Sequence, residues 1–373
     1  MIISVVGWYG TETMGDKAIF DGILSVFNNL SPNTHIQVGS LYTFYSERTF
    51  IEEKDVFKQT APNMTFSIFD MKNEEELTQN IRKSNMVIFG GGPLMDLEEL
   101  FLIKYSFEVA KKKDIPCIIM GAGIGPLKQK IYVKTVESII KLSSLVILRD
   151  SKSVEQLLHL YSLNNKIIML PDPAIISIEN YKKKNTRYPN RNIIVNFRDY
   201  SENVYSRRLL HNKELWRELI FALKDIADKV YFMPMHNFYI GEDDRYCIAS
   251  ILDGEDIDGF EIFHSPINLH TMYSLIMNAY ACVGMRYHSV VMQTILNGNN
   301  LIIDYTGKKE GKIYGFLSDV DTKGFYANRR YCMDSENTLN IETFIKPLNN
   351  NSFFECSDLK TEEKYIKILK DYI

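Results

Sequence analysis

The feature that most narrows what this chain can fold into is a rhythm. Short, mostly apolar runs rich in Val and Ile return at intervals, and segments with a helical period lie between them. In the first half the runs are IISVVG (2–7), HIQVGSL (35–41), MVIFGG (86–91), PCIIMG (116–121), LVILRD (145–150) and KIIML (166–170). GDKAIFDGILSVF and YVKTVESIIKL are among the helical patterns between them. A strand with one wet face alternates polar and apolar residues, whereas a strand covered on both faces has no need to. The pattern therefore predicts parallel strands in a doubly wound α/β sheet.

The rhythm breaks once. After PDPAI (171–175), the stretch IENYKKKNTRYPN (178–190) is polar, carries no period and reads as a linker. A second series follows: NIIVNF, the helix KELWRELIFALKDIADK, VYFMPM, a helix around Arg245 to Leu252, EIFHS, the helix NLHTMYSLIMNA, YACVGM, HSVVMQTILNG and NLIIDY. A chain of 373 residues with 45% hydrophobic content is long enough to bury two cores. The expected organisation is a Rossmann-like lobe over 1–175, a linker over 176–190, a second Rossmann-like lobe over 191–345 and a C-terminal segment over 346–373. That last segment ends in EEKYIKILKDYI, whose apolar face at Tyr365, Ile366, Leu369 and Ile373 suits packing back on the N-terminal lobe. Two such lobes facing a central cleft would line it with strand C-terminal ends, where open α/β sheets bind ligands.

Composition removes several classes of function. A formal charge of -4 and a pI near 6.0 lack the basic surplus of a nucleic-acid binder. The runs Lys111 to Lys113 and Lys182 to Lys184 read as solvated loops, the alternative being contact with an anionic lipid or substrate. The five cysteines are scattered and have no C-x-x-C spacing, which predicts neither a disulfide framework nor a zinc site. MIISVVGWYG has no basic n-region and reads as a first strand rather than a signal peptide. No apolar run approaches the ~18 residues needed to span a bilayer, and a cytoplasmic protein is expected.

The strand ends hold the chemistry. GWYGTETMGDKAIF follows the first strand with three glycines and reaches Asp16, read as the N-cap of a helix starting near Lys17. Such a loop is either an ordinary β-α turn or a set of backbone N–H groups open to an anion. FGGGPLMD (89–96) repeats the arrangement with Asp96 near a helix start, and no Lys-Ser or Lys-Thr follows to make it a P-loop. MGAGIGPL (120–127) fails as a dinucleotide fingerprint, because Pro126 stands where the third glycine belongs and no strand-ending acid appears about 20 residues on. In LRDSKSVEQL (148–157), Arg149 ends a strand before a helix capped by Asp150 or Ser151; it is a surface charge or a bidentate clamp for a carboxylate or phosphate. In GMRYHS (284–289), an extended segment would set Arg286 and His288 on one face.

Taken in order, GWYGTETMGDKAI, GGGPLMD, GAGIGPL, RDSKSVEQL, PDPAI, MPMH followed by EDDR, and GMRYHSVVMQTILNGN resemble the polysaccharide pyruvyltransferase family over about residues 3 to 316. Two positions depart from the family pattern: Thr13 stands where Asn is usual and Pro93 where Gly is usual. The resemblance implies two lobes like those of GT-B glycosyltransferases. It also implies transfer of pyruvate from phosphoenolpyruvate onto two sugar hydroxyls, forming a ketal and releasing phosphate. Phosphoenolpyruvate is then a donor substrate, with no further cofactor and no metal. A role in cell-surface polysaccharide assembly implies a sugar acceptor, one alternative being a lipid-linked oligosaccharide at the inner membrane face.

The same resemblance assigns roles. A carboxylate and a phosphate on a three-carbon frame need several fixed cations; Arg149, Arg286 and a lysine supply them, with Gly123 and Gly125 on the same donor side. Among Lys308, Lys309 and Lys312, Lys312 is preferred because KIYGFL is most like the family's ending. His288 is the expected general acid, with Asp16 or Asp96 orienting or deprotonating the sugar. The acceptor side is expected to include Trp8, Tyr9, Thr13, Gly91 and Gly92 in the N-terminal lobe. Trp8, Tyr9, Tyr287 and Tyr314 either stack on a sugar ring or fill the core. His236 with Glu242, Asp243 and Asp244 is read as a chance grouping rather than a metal site, and His270 as structural. Two other readings compete. A nucleotide-sugar glycosyltransferase of retaining type would be expected to carry a glutamate between Glu261 and Glu310, and none occurs there. A non-catalytic binding protein would be expected to have lost one of Arg149, Arg286 and His288, all of which are present.

Overall fold

The structure is a computed structural model of the 373-residue chain. It describes all residues except 12, 162–166, 200–208, 238–242, 308, 310, 335–337 and 351. The chain divides into two compact units: Met1–Glu12, Asp16–Ser177 and Leu359–Ile373 form the first, and Thr13–Gly15 with Ile178–Asp358 form the second.

The first unit is built on β1 (Ile2–Val6), β2 (His35–Ser40), β3 (Thr65–Asp70), β4 (Met86–Gly90), β5 (Pro93–Leu94), β6 (Cys117–Ile124), β7 (Leu145–Leu148) and β8 (Ile167–Met169). Their order is β3-β2-β1-β4-β6-β7-β8, all pairs are parallel, and the two-residue β5 joins the far end of β6. Every residue of β4 and β6 is buried. Helices on both faces therefore account for the lack of polar alternation in these runs. β3, TFSIFD, escapes a reading based on uniform apolar runs because its edge position leaves Thr65, Phe66, Ser67 and Ile68 partly or fully exposed.

The second unit carries β9 (Asn192–Val195), β10 (Lys229–Phe232), β11 (Phe260–Ile262), β12 (Ala281–Gly284), β13 (Asn300–Asp304) and β14 (Arg330–Cys332), ordered β11-β10-β9-β12-β13-β14 and parallel throughout. Strand order reverses between β1 and β4 in one sheet and between β9 and β12 in the other. Open α/β sheets bind ligands at such switch points, outside the carboxyl ends of the strands.

Several local expectations change. Residues Ala174–Lys184 form a helix where a linker over 176–190 is expected. Its first two turns bury Ile175, Ile176 and Ile178, and its polar run is a C-terminal turn of Lys182, Lys183 and Lys184, a placement favoured by the helix dipole. Lys111 likewise closes the helix Leu100–Lys111 rather than starting a loop. The first long helix spans Met14–Leu30, so Asp16 lies inside its first turn and is not its N-cap. Thr13, a good capping residue type, immediately precedes it. In the C-terminal segment, Tyr365 and Leu369 are buried within the first unit and the Tyr365 hydroxyl donates to the Pro171 carbonyl at 2.9 Å; Ile373 is exposed. Among the described residues, no helix is long and apolar enough to cross a membrane.

Candidate functional site

In the first unit, the glycine-rich turns meet at the ends of β1, β4 and β6. Gly91 and Gly92 adopt φ of 72° and 75°, a left-handed conformation that favours glycine. A Cβ on Gly92 would overlap the Trp8 indole, and Tyr9 donates its hydroxyl to the Gly90 carbonyl at 3.1 Å. Burial, and then the charges of Asp16 and Asp172, push the Tyr9 phenol well above its ordinary pKa, which keeps it a proton donor. Trp8 and Tyr9 are both buried, with Trp8 edge-on to Phe89.

Arg149 is 6% exposed. Its Nη1 donates to Asp172 Oδ2 at 3.1 Å, and its Nε lies 3.6 Å from Asp150 Oδ2. The guanidinium lies against Gly123, where an added Cβ would fall 2.7 Å from Nη2. The motifs GAGIGP, RDS and PDPAI thus converge on one buried ion cluster. Asp150 caps the helix Ser151–Leu160, its Oδ1 accepting the Ser153 N–H at 2.7 Å. Gly125 packs on Met95, with 2.5 Å from an added Cβ to the Met95 Cβ. Asp96 lies beyond β5 and before the helix that starts at Leu100. Its Oδ2 accepts the N–H groups of Lys128 and Gln129 at 3.0 Å, tying its own loop to the one after β6.

In the second unit, β12 ends at Gly284 and the helix Tyr287–Leu296 begins three residues later. Arg286 is its N-cap, with φ -69° and ψ 145°, and His288 is already the second helical residue. The strand alternation that would align the two side chains therefore stops before His288. Arg286 is fixed by Asp244, which is buried: Nε lies 2.9 and 2.8 Å from its two oxygens and Nη2 lies 2.6 Å from Oδ1. Asp244 Oδ2 also accepts from Met235 N–H at 3.0 Å and Asn196 Nδ2 at 3.2 Å. Asn196, just past β9, accepts the Arg286 N–H at 3.1 Å through Oδ1. Three strand ends, β9, β10 and β12, are thereby joined around one guanidinium at the switch point.

In the sequence Asn196 goes unnoticed, and Asp244 reads only as part of an acidic cluster. The available signal was a lone polar residue at the end of NIIVN, which is also common turn chemistry. Asp243 is occupied by Arg245, at 2.9 to 3.0 Å through Nε and the backbone. Burial pushes its carboxyl up, but the Arg245 bonds outweigh this and hold it below the usual range. Glu242 lies outside the described residues, and among the described ones no group of three His, Cys, Asp or Glu is placed to hold a metal.

His288 is half-buried, with its ring edge-on to Tyr287 at 4.9 Å. A Cβ on Gly15 would overlap the imidazole, so glycine at that position makes room for the ring. Thr13 pairs with His236 in an antiparallel bridge and Met14 N–H donates to the Met235 carbonyl at 3.0 Å, holding that segment in the second unit. Lys312 opens the helix Lys312–Val320, its Nζ 5.7 Å from the centre of the Tyr305 ring. Lys309 is exposed, and Lys308 lies outside the described residues. His270 packs on Tyr181 at 5.2 Å, and Tyr314 lies beneath Arg330.

Arg286, His288, Lys312 and Thr13 thus belong to the second unit, and Trp8, Tyr9, Asp16, Gly91, Gly92, Asp96, Gly123, Gly125 and Arg149 to the first. A forked cation at a helix N-terminus is suited to a carboxylate or phosphate, because the helix dipole and backbone N–H groups also favour negative charge there.

Comparison with solved structures finds this fold elsewhere. The UDP-N-acetylglucosamine 2-epimerase of Rickettsia bellii superposes with a TM-score of 0.62 at 13% identity, covering 100% of this chain and 95% of that one. The UDP-GlcNAc 2-epimerase of Methanocaldococcus jannaschii, in complex with UDP-GlcNAc and UDP, gives 0.60 at 16% identity, with 100% of both chains covered. Identities this low establish the GT-B-like class of two Rossmann-like α/β lobes and nothing finer. Comparison with curated proteins finds no match. The family model described as Polysaccharide pyruvyl transferase matches residues 14–307, from the start of the first long helix to beyond the end of β13. This chain belongs to the polysaccharide pyruvyl transferase family.

Proposed function

We propose that this protein transfers pyruvate from phosphoenolpyruvate to two hydroxyls of a sugar in a polysaccharide precursor, forming a ketal and releasing phosphate. The observation that carries the reading is the Arg286 fork, held by Asp244 and Asn196 at the N-terminus of the helix Tyr287–Leu296, in a chain of this family. Arg286, the helix N-terminus and Lys312 are the donor-binding groups in this proposal. Arg149 enters through its loop, because its side chain is only 2% exposed between Asp150 and Asp172, whereas that of Arg286, although paired with Asp244, is 13% exposed.

His288 protonates the enol CH2, which becomes a methyl group and leaves an oxocarbenium at C2. The first sugar hydroxyl attacks C2 and gives up its proton. The C2–O bond to phosphate then breaks, its electron pair leaving with phosphate, and the second hydroxyl closes the ketal with loss of its own proton. Asp16 and Asp96 are the candidates for orienting or deprotonating the sugar. Trp8, Tyr9, Thr13, Gly91 and Gly92 are proposed for the acceptor, and Gly123 and Gly125 for the donor. A sugar held on a lipid carrier at the inner membrane face is one acceptor the proposal accommodates.

The test separates binding from turnover. His288→Ala is expected to bind phosphoenolpyruvate nearly as well as the wild type while phosphate release falls at least ~100-fold, the usual scale of a lost general acid. Arg286→Lys keeps the charge but not the planar fork and is expected to weaken binding about tenfold, or ~1.4 kcal/mol. Turnover that survives His288→Ala removes the histidine as acid, and unchanged affinity in Arg286→Lys moves the donor site elsewhere.

A further inference from the structure

Asp304 ends β13 with its side chain fully buried. A carboxylate there is tolerated only when paired and hydrogen-bonded. Its Oδ2 accepts from Arg330 Nε at 2.8 Å, with Nη2 at 2.6 Å, while Oδ1 accepts both the N–H and the hydroxyl of Thr306, at 2.8 and 2.7 Å. A pair that only closed the strand end would stop here. Arg330 reaches further: Nη2 donates to the Gly307 carbonyl at 3.3 Å, and the guanidinium lies 5.2 Å from the ring centre of Tyr314, two residues beyond Lys312 in the same helix. Gly311, the N-cap of that helix, sits so close to Thr306 that a Cβ on it would overlap the Thr306 hydroxyl. Thr306, at the start of the 305–311 loop, is thus bonded to the carboxylate, and Gly311, at its end, packs on Thr306; Lys312 is the next residue.

We propose that the buried Asp304–Arg330 pair is a positioning device that sets where Lys312 meets the anionic end of the donor. Its role toward the donor rests on the pyruvyltransferase reading above. Neither residue is a catalytic residue; both act through the lysine.

The test uses Asp304→Asn in the full chain, with Arg330→Lys as a second variant should the first fail to fold, each alone and combined with Lys312→Met. Without ligand, tryptic cleavage after the exposed Lys309 is expected to accelerate about tenfold in Asp304→Asn, since the loop loses its anchor while the fold persists. Unchanged cleavage in a folded variant overturns the proposal. With phosphoenolpyruvate as probe, the dissociation constant is expected to rise about tenfold in Asp304→Asn and to show no further rise when the same change is made in Lys312→Met, the signature of residues that act as a unit. A wild type that binds while Asp304→Asn keeps full affinity, or effects that simply add, also overturn it. A wild type that does not bind phosphoenolpyruvate overturns the functional reading and the donor role with it; the cleavage result still decides whether the pair anchors the loop.

Discussion

At the scale of single residues, the strongest constraint lies in a side chain that is missing. Gly15 leaves the space that the His288 ring occupies. Gly15→Ala is therefore expected to turn the imidazole without touching Arg286, lowering kcat for phosphate release at least ~10-fold while phosphoenolpyruvate affinity stays within about twofold. A kcat equal to wild type would show that the ring's orientation does not matter. The residue types at this site were legible from GMRYHS, whose Arg and His follow an apolar strand. Their relative geometry was not, because alternation applies only within a strand and the helix begins at Tyr287. Asn196 and Asp244 stayed hidden for a related reason. What makes them matter is that three strand ends meet, and that adjacency exists only once β9, β10 and β12 have paired.

At the scale of elements, apolar runs identified the central strands and the edge strands β8 and β11, and missed the edges β3 and β14. β4, β6 and β9 lie inside their sheets, whereas β3 is an edge strand with exposed positions and β14 is a three-residue edge strand with none buried. The helix Ala174–Lys184 was misread because its charged last turn resembles a linker when taken apart from its buried first turns. A neighbouring contact gives a pH-dependent prediction. His270, in the helix Leu269–Asn278, packs on Tyr181, and burial, assisted by Lys184, lowers its pKa. The native state therefore holds the ring neutral where the unfolded chain, titrating near 6.5, takes up a proton. The associated stability is complete above about pH 6.5 and is lost as pH falls through the lower folded value. Melting curves from pH 7.5 down to 5 should show the wild type losing more stability than His270→Phe, with the gap widening as pH falls. Parallel losses would mean that His270 is not a native-state pH sensor.

At the scale of the whole molecule, a chain of net charge -4 is read as binding a multiply charged anion, so attraction has to come from placed groups rather than from the overall field. Arg286 at the N-terminus of the helix Tyr287–Leu296 has that character, and the family match covers residues 14–307. The α/β class and the family were both legible in the sequence, since one follows from burial pattern and the other from seven motifs in order. The proposed donor rests on the family alone, because the GT-B-like fold is shared with a protein solved in complex with UDP-GlcNAc. The most direct test is a thermal-shift comparison of the intact protein with millimolar phosphoenolpyruvate and with UDP-GlcNAc. A ligand of the native state at 100 times its dissociation constant stabilises by about 2.7 kcal/mol. A pyruvyltransferase of the proposed kind melts at a higher Tm with phosphoenolpyruvate and shows no rise with UDP-GlcNAc; a rise with UDP-GlcNAc alone overturns the proposed donor.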